Sequence, residues 1–412
     1  MKKSIYSIAA IAAVAAALTL TLAWTPKENS LKKVSPERMG MNSAKLAQID
    51  REAALAIEEG NCPGAVVCVV REDKIVFLKA YGNKQVVPDT IPMTTNTIFD
   101  MASCSKCVGT TLSFMQLLEN GYCRLSDPVK MYIPDYKPWT DPETGEVVDI
   151  TIENLLTHTS GVDAYINVAA FRERFGDYQP DSLIRFIATE TGRAFRPGTG
   201  YRYSCLNFVT LQNILQNITG EKLCDYAQAH VFDALGLKHT CYRPAETRPD
   251  LMPFVAPTEV QADGLPFMGV VHDPIANFCN AGNSGNAGVF SSCEDLAVIC
   301  AAIMNRGELH GTRILSPLTV ETMIRVPSGN EPWIGRALGW DNRSEAAGLR
   351  GDFFSRENTI CHTGYTGTSI IMDMDEHIAV IVLTNRVHPN DVGGTGKLRA
   401  RIANIVAGSI EK

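Results

Sequence analysis

Ser103-Cys104-Ser105-Lys106 sets a hydroxyl and an amine three residues apart, the spacing that puts two side chains on one helix face. A serine hydroxyl is a poor nucleophile until a neighbour takes its proton, so this pair points to acyl transfer through a covalent intermediate. Two distant stretches complete the candidate site: Tyr203, and His362 leading Thr363-Gly364. If Ser103 opens a helix, backbone N–H groups there favour developing negative charge. A lysine desolvated beside it is expected to titrate below its ordinary value and to relay a proton.

Each of these signals has competitors in the chain. Ser-x-x-Lys also occurs at Ser30-Leu31-Lys32-Lys33, but in a polar linker with no apolar helix behind it. Tyr-x-Asn occurs at Tyr81-Gly82-Asn83 and Tyr165-Ile166-Asn167, whereas Tyr203-Ser204-Cys205 matches only at its tyrosine. Context favours Tyr203, which follows Arg196-Pro197-Gly198 and opens the apolar segment from Leu206 to Ile218; Tyr165 stays the alternative. His158 reads as a turn-stabilising residue, and His272 beside Asp273 resembles half of a triad but weighs more as structure. No Gly-x-Ser-x-Gly is present, which counts against an α/β-hydrolase.

Certain elements must position these groups. Asn42-Ser43 can cap a helix with Leu46, Ile49, Ala53 and Ile57 on one face, closed by Gly60. Ala65 to Val70 and Lys74 to Tyr81 read as a hairpin about Glu72-Asp73, and Lys106 to Glu119 as a long amphipathic helix. Thr368 to Met374 and His377 to Thr384 form a second hairpin, followed by a closing helix with Leu398, Ile402, Ile405 and Val406. Between them the pattern is helices and loops punctuated by proline. The division predicted is a discontinuous α/β domain over 31–126 and 281–412, and a helical domain over 127–280. A site would fall in the cleft between them.

The chain has 412 residues, 45% hydrophobic and 20% charged, which suits a globular protein large enough to bury its own core. A formal charge of −7 gives no basic footprint for nucleic acid. Lys2 and Lys3 precede an apolar run from Ile8 to Leu22 with small residues at Thr21 and Ala23, which reads as an export signal over 1–24. An uncleaved anchor is the alternative, and would be the only membrane contact. Twelve cysteines in an exported chain raise the idea of a disulfide framework, but the length makes dependence on one unnecessary; small buried packing residues are the simpler reading. Cys104-x-x-Cys107 lacks a second Cys/His pair at zinc spacing, so no metal or cofactor is predicted.

Taken in order, several segments resemble the serine β-lactamase and penicillin-binding-protein superfamily, in its class C-like branch with D-aminopeptidases and esterases. They are Phe99 to Lys106, Leu125 to Val129, Leu155 to Gly161, Pro197-Gly198 with Tyr203-Ser204, Ala287 to Ser292, and Cys361 to Ser369. The resemblance implies an antiparallel sheet flanked by helices plus an all-helical domain. It makes Ser103 the acylated nucleophile, Lys106 its activator and Tyr203 the proton shuttle, with His362 replacing the lysine often found before Thr-Gly. The backbone N–H groups of Ser103 and Tyr365 would form the oxyanion hole, at about 3–4 kcal/mol per donor. Thr363, Gly364 and Cys205 would line the substrate site. Cys205 stands where the family commonly has Asn or Asp, and losing a good amide contact costs roughly 1–3 kcal/mol. Asn286 stands where relatives often carry histidine, and Asn207 is a substitute contact only if it can reach in from one helical step away.

The leading expectation is an exported serine hydrolase, periplasmic or extracellular, acting through an acyl-enzyme on peptide or other small-molecule substrates, muropeptides foremost. A small-ester carboxylesterase is the first alternative, because His362 removes a permanent charge suited to a substrate carboxylate. A class C-type β-lactamase, a thiol-sensitive variant and a non-catalytic penicillin-binding or sensing module are further alternatives.

Overall fold

A computed structural model describes residues 29–330 and 333–412, so the stretch read as an export signal lies outside the described residues. The main sheet uses β1 (Lys32–Lys33), β2 (Gly64–Arg71), β3 (Lys74–Gln85), β4 (Thr359–Thr363), β5 (Ser369–Asp373) and β6 (Ile378–Thr384). Their spatial order is β1-β3-β2-β6-β5-β4, with Ile91–Pro92 added against β3. All pairs are antiparallel except β1 with β3. The two hairpins expected from the sequence thus meet at the centre, where β2 pairs with β6 from Arg71↔Ile378 to Ala65↔Thr384.

Both faces of this sheet are covered, so its central strands are apolar at nearly every position rather than at alternate ones. Along β2, Val66, Cys68 and Val70 enter one core with Phe99, Leu112 and Leu296. Val67 and Val69 enter the other with Ile49, Leu398 and Ile402. The first core is roofed by helices α2 (Leu112–Glu119), α3 (Cys205–Thr219) and α4 (Cys293–Met304); the second by α1 (Ile49–Glu58) and α5 (Gly396–Ala407).

Several local expectations change in detail. The first predicted helix is two, Ser43–Leu46 and α1, although Asn42 does cap it by accepting from the Lys45 N–H. The stretch 127–280 is not purely helix and loop: Trp139–Thr140 pairs with Val147–Val148, and Cys241–Tyr242 joins a three-stranded sheet with Phe99–Asp100 and Val289–Ser291. The helix after Ser103 is more buried than an amphipathic surface helix. It runs as a 3₁₀ turn (Ala102–Cys104), a π turn (Lys106–Thr111) and then α2, and it is buried as far as Met115, with Gln116 and Leu118 partly exposed and Glu119 exposed. Gly364 and Gly367 lie in the turn from β4 to β5.

Candidate active site

Ser103 is presented by strained backbone. Ala102 has φ +45°, a conformation that costs an L-residue of order 1–3 kcal/mol. It is held because the buried Asp100 carboxylate accepts from the Ala102 N–H at 2.8 Å and from the His272 N–H at 2.7 Å. Burial pushes the Asp100 carboxyl up despite these bonds. The π turn that follows is the kind of helix irregularity that re-aims side chains at functional sites.

Lys106 is fully buried, and its three ammonium donors meet three acceptors. They are Ser103 Oγ at 3.1 Å, Cys205 Sγ at 3.5 Å and the Asn286 carbonyl at 2.7 Å. This corrects the expected downward shift. Burial alone pulls Lys106 down, but Cys205 and Tyr203, a Tyr203 hydrogen-bond contribution and Asp273 outweigh it, and the group sits above its ordinary value. Part of that attraction exists only when Cys205 or Tyr203 loses its proton.

Tyr203 sits just before α3, whose N-cap Ser204 accepts from the Asn207 N–H. Its ring centroid lies 5.1 Å from Lys106 Nζ, and its buried hydroxyl has no hydrogen-bond partner among the described residues. Burial pushes the phenol up to about 12, against the pull of Lys106 and Ser103. His158 packs on it at 4.3 Å between ring centroids, while its own Nδ1 accepts from the Ser204 N–H. His158 therefore does hold a turn, and it also braces the phenol ring.

The strand side is set by glycine. A Cβ on Gly364 would lie 2.5 Å from the Met101 carbonyl and 2.1 Å from Thr368 Oγ1, so only glycine lets this turn seat against the nucleophile segment. Thr368 Oγ1 donates to the Met101 carbonyl and Thr366 Oγ1 to that of Asp100, tying the two segments together. Tyr365 lies over the site, stacked between the Arg386 guanidinium and the His272 ring, with its hydroxyl donating to Asp391.

His362 ends β4, buried. Its Nδ1 lies 2.9 Å from the Thr363 carbonyl and Nε2 has no partner among the described residues. Burial, then Arg336 and Lys106, hold its imidazolium well below the usual range, so it is neutral at physiological pH. Because the unfolded chain binds this proton more readily, the stability His362 contributes is fully present above about pH 6.5 and is lost progressively as pH falls from there toward the depressed folded value. Below about pH 6.5, the slope of unfolding free energy against pH for His362→Gln should be flatter than wild type, by at most about 1.4 kcal/mol per unit. Urea titrations at stepped pH measure it; parallel slopes would mean the imidazole is charged in the fold.

The structure thus brings Ser103, Lys106, Tyr203, Cys205, His362, Thr363, Gly364 and Tyr365 around two cavities that share Ser103 and Tyr203. One, of about 650 Å³, runs along β4; the other, of about 410 Å³, is walled by Cys205, Tyr165 and Asp273. Tyr165 donates to Asp273 at 3.0 Å, and Tyr81 lies elsewhere, donating to Asp50. Asn207 does not reach in: it accepts from Ser160 and donates to the Leu155 carbonyl. Asn286 participates through its backbone carbonyl, which no side-chain motif can signal. Sequence reasoning also missed Arg336, Asp341, Arg386, Asp391 and Arg399, which line the larger cavity from segments with no spacing relation to the serine. All twelve cysteines are buried and unpaired.

A family model described as Beta-lactamase matches residues 46–404. The chain is 29% identical over 381 residues to a "Putative D-alanyl-D-alanine carboxypeptidase" of Salmonella agona (strain SL483), spanning 87% of this chain and 86% of that protein. It is 27% identical over 382 residues to an N-acetylmuramyl-L-alanine amidase of Bacillus subtilis (strain 168), spanning 87% and 84%. Among solved structures it is similar to EstCE1, a hydrolase with promiscuous acyltransferase activity, with TM-score 0.70 and 25% identity over 89% of this chain and 99% of that one.

Proposed function

The chain belongs to the beta-lactamase family and is a serine hydrolase of that fold, and from this premise we propose that it cleaves amide or ester bonds in cell-wall-derived peptides through an acyl-enzyme on Ser103. The observation that carries the proposal is the Lys106 Nζ–Ser103 Oγ contact of 3.1 Å, with Tyr203 over the same ammonium, at the junction of two cavities. In the reactive form the Tyr203–Lys106 pair has given up one proton and Tyr203 stands as a phenolate beside the Lys106 ammonium; Ser103 Oγ attacks the carbonyl while its proton passes to that phenolate, which then delivers it to the leaving amine or alcohol. Water repeats the sequence against the acyl-serine. The N–H groups of Ser103 and Tyr365 hold the oxyanion. Lys106 stays an ammonium through most of the cycle, which lowers the cost of transient phenolate at Tyr203.

The names of the carboxypeptidase and amidase relatives support the substrate class, and the N-terminal address supports export to the periplasm or beyond. The same reading takes 31–126 with 281–412 as the α/β domain and 127–280 as the helical one. A carboxylesterase is the second reading, favoured by the neutral His362 and the likeness to EstCE1. Mass spectrometry after incubation with a peptidoglycan digest, a penicillin and a 4-nitrophenyl ester should find the acyl adduct on Ser103 and name the accepted acyl group. Adducts formed only from the ester would replace the peptide reading with the second one, and an adduct on another residue would end both.

A further inference from the structure

We propose that His158 is a positioning residue that fixes the Tyr203 phenol over the Lys106 ammonium, an assignment that deepens the acyl-enzyme reading of Ser103 and rests on it. Tyr203 needs such support. Residues 201–204 lie in no helix or strand, and the Tyr203 hydroxyl has no hydrogen-bond partner among the described residues. One histidine supplies much of what holds it. The His158 carbonyl accepts from the Arg202 N–H at 3.0 Å, and its Nδ1 accepts from the Ser204 N–H, also at 3.0 Å. Both amides that flank Tyr203 are thus held by His158. Between them its ring lies against the phenol ring, with centroids 4.3 Å apart and planes at 33°.

The residue type suits this task at each point. Backbone at φ +59° favours Asn, Asp and His among residues with a side chain. Of these, histidine combines an acceptor atom with a flat face for ring packing. Burial, then Arg336, Lys106 and His362, hold its imidazolium well below the usual range, so the ring is neutral and Nδ1 keeps its lone pair for the Ser204 N–H. The segment is itself anchored on both sides of His158. Ser160 Oγ donates to Asn207 Oδ1 at 2.7 Å, and Asn207 Nδ2 donates to the Leu155 carbonyl at 3.3 Å, which ties it to α3. The clamp and the phenol are therefore one packed unit. Misplacing a reacting group by about 1 Å costs roughly 100-fold in rate, which sets the scale of what His158 controls.

Three variants take the clamp apart. His158→Asn keeps the turn and an acceptor but removes the ring, His158→Phe keeps the ring but removes the acceptor, and His158→Gly removes both while suiting the backbone. With 4-nitrophenyl butyrate, kcat in the glycine variant should fall about 10–100-fold with KM within about threefold, and the other two should lie between it and wild type. In a Tyr203→Phe background, adding His158→Asn should lower kcat by less than about threefold more, because the hydroxyl it positions is gone. Losses that multiply, or a glycine variant with wild-type kcat, overturn the assignment. If the variants do not fold, nitrogen NMR of the wild-type imidazoles decides: His158 should show an unprotonated Nδ1, and a proton on that atom overturns the clamp. Labelling of Ser103 by a neutral fluorophosphonate separates the two ideas. No labelling of wild type ends the acyl-enzyme itself, whereas labelling with kcat, or the labelling rate, indifferent to position 158 ends only the clamp.

Discussion

Ser103→Ala is expected to lower turnover of every accepted ester or amide by about 10⁴-fold or more and to abolish covalent labelling. In the proposed acyl-enzyme route the hydroxyl is the atom that forms the new bond, so no neighbouring group replaces it. Lys106 would keep its 2.7 Å bond to the Asn286 carbonyl and its contact with Cys205, so the buried ammonium stays satisfied and the melting temperature should move little. Active-site titration and thermal melts on the same preparation check both halves. Labelling at an unchanged rate would place the chemistry elsewhere.

Tyr203→Phe should separate catalysis from stability. Loss of a positioned proton carrier costs about 10²–10⁴-fold in kcat. The hydroxyl is buried without a well-formed hydrogen bond, so removing it strips an unsatisfied polar group, and the variant should be as stable as wild type or slightly more so. The ring keeps its packing on His158 at 4.3 Å and its position over Lys106. A kcat within threefold of wild type would return the role to the lysine alone, or to Tyr165 across the second cavity. A large loss of stability would show that the hydroxyl has a partner in the folded protein after all.

Much of this site was readable in advance because its signals are local. Ser103 and Lys106 needed only their spacing and the apolar helical segment behind them, and the hairpins at 64–85 and 369–384 needed only apolar runs interrupted by Glu72-Asp73 and Asp375-Glu376. The helix behind Ser103 is buried more widely than its periodicity suggests, because periodicity reports one buried face and here everything up to Met115 is covered. The direction of the Lys106 shift was misjudged for a related reason. Desolvation can be inferred from an apolar sequence context, but the three acceptors come from residues 103, 205 and 286. The larger cavity's arginines were invisible in the same way, since positions 336, 386 and 399 share no motif and converge only in the folded chain.

The residue order alone pointed to the proposed nucleophile, the amine beside it and the sheet-forming hairpins, since contacts three residues apart and strand alternation are properties of neighbouring backbone. Tertiary packing decided the protonation of Lys106 and His362 and the placing of the phenol. Those depend on which distant groups share a water-poor volume, and Coulomb and desolvation energies are fixed by distance in space, not by separation along the chain.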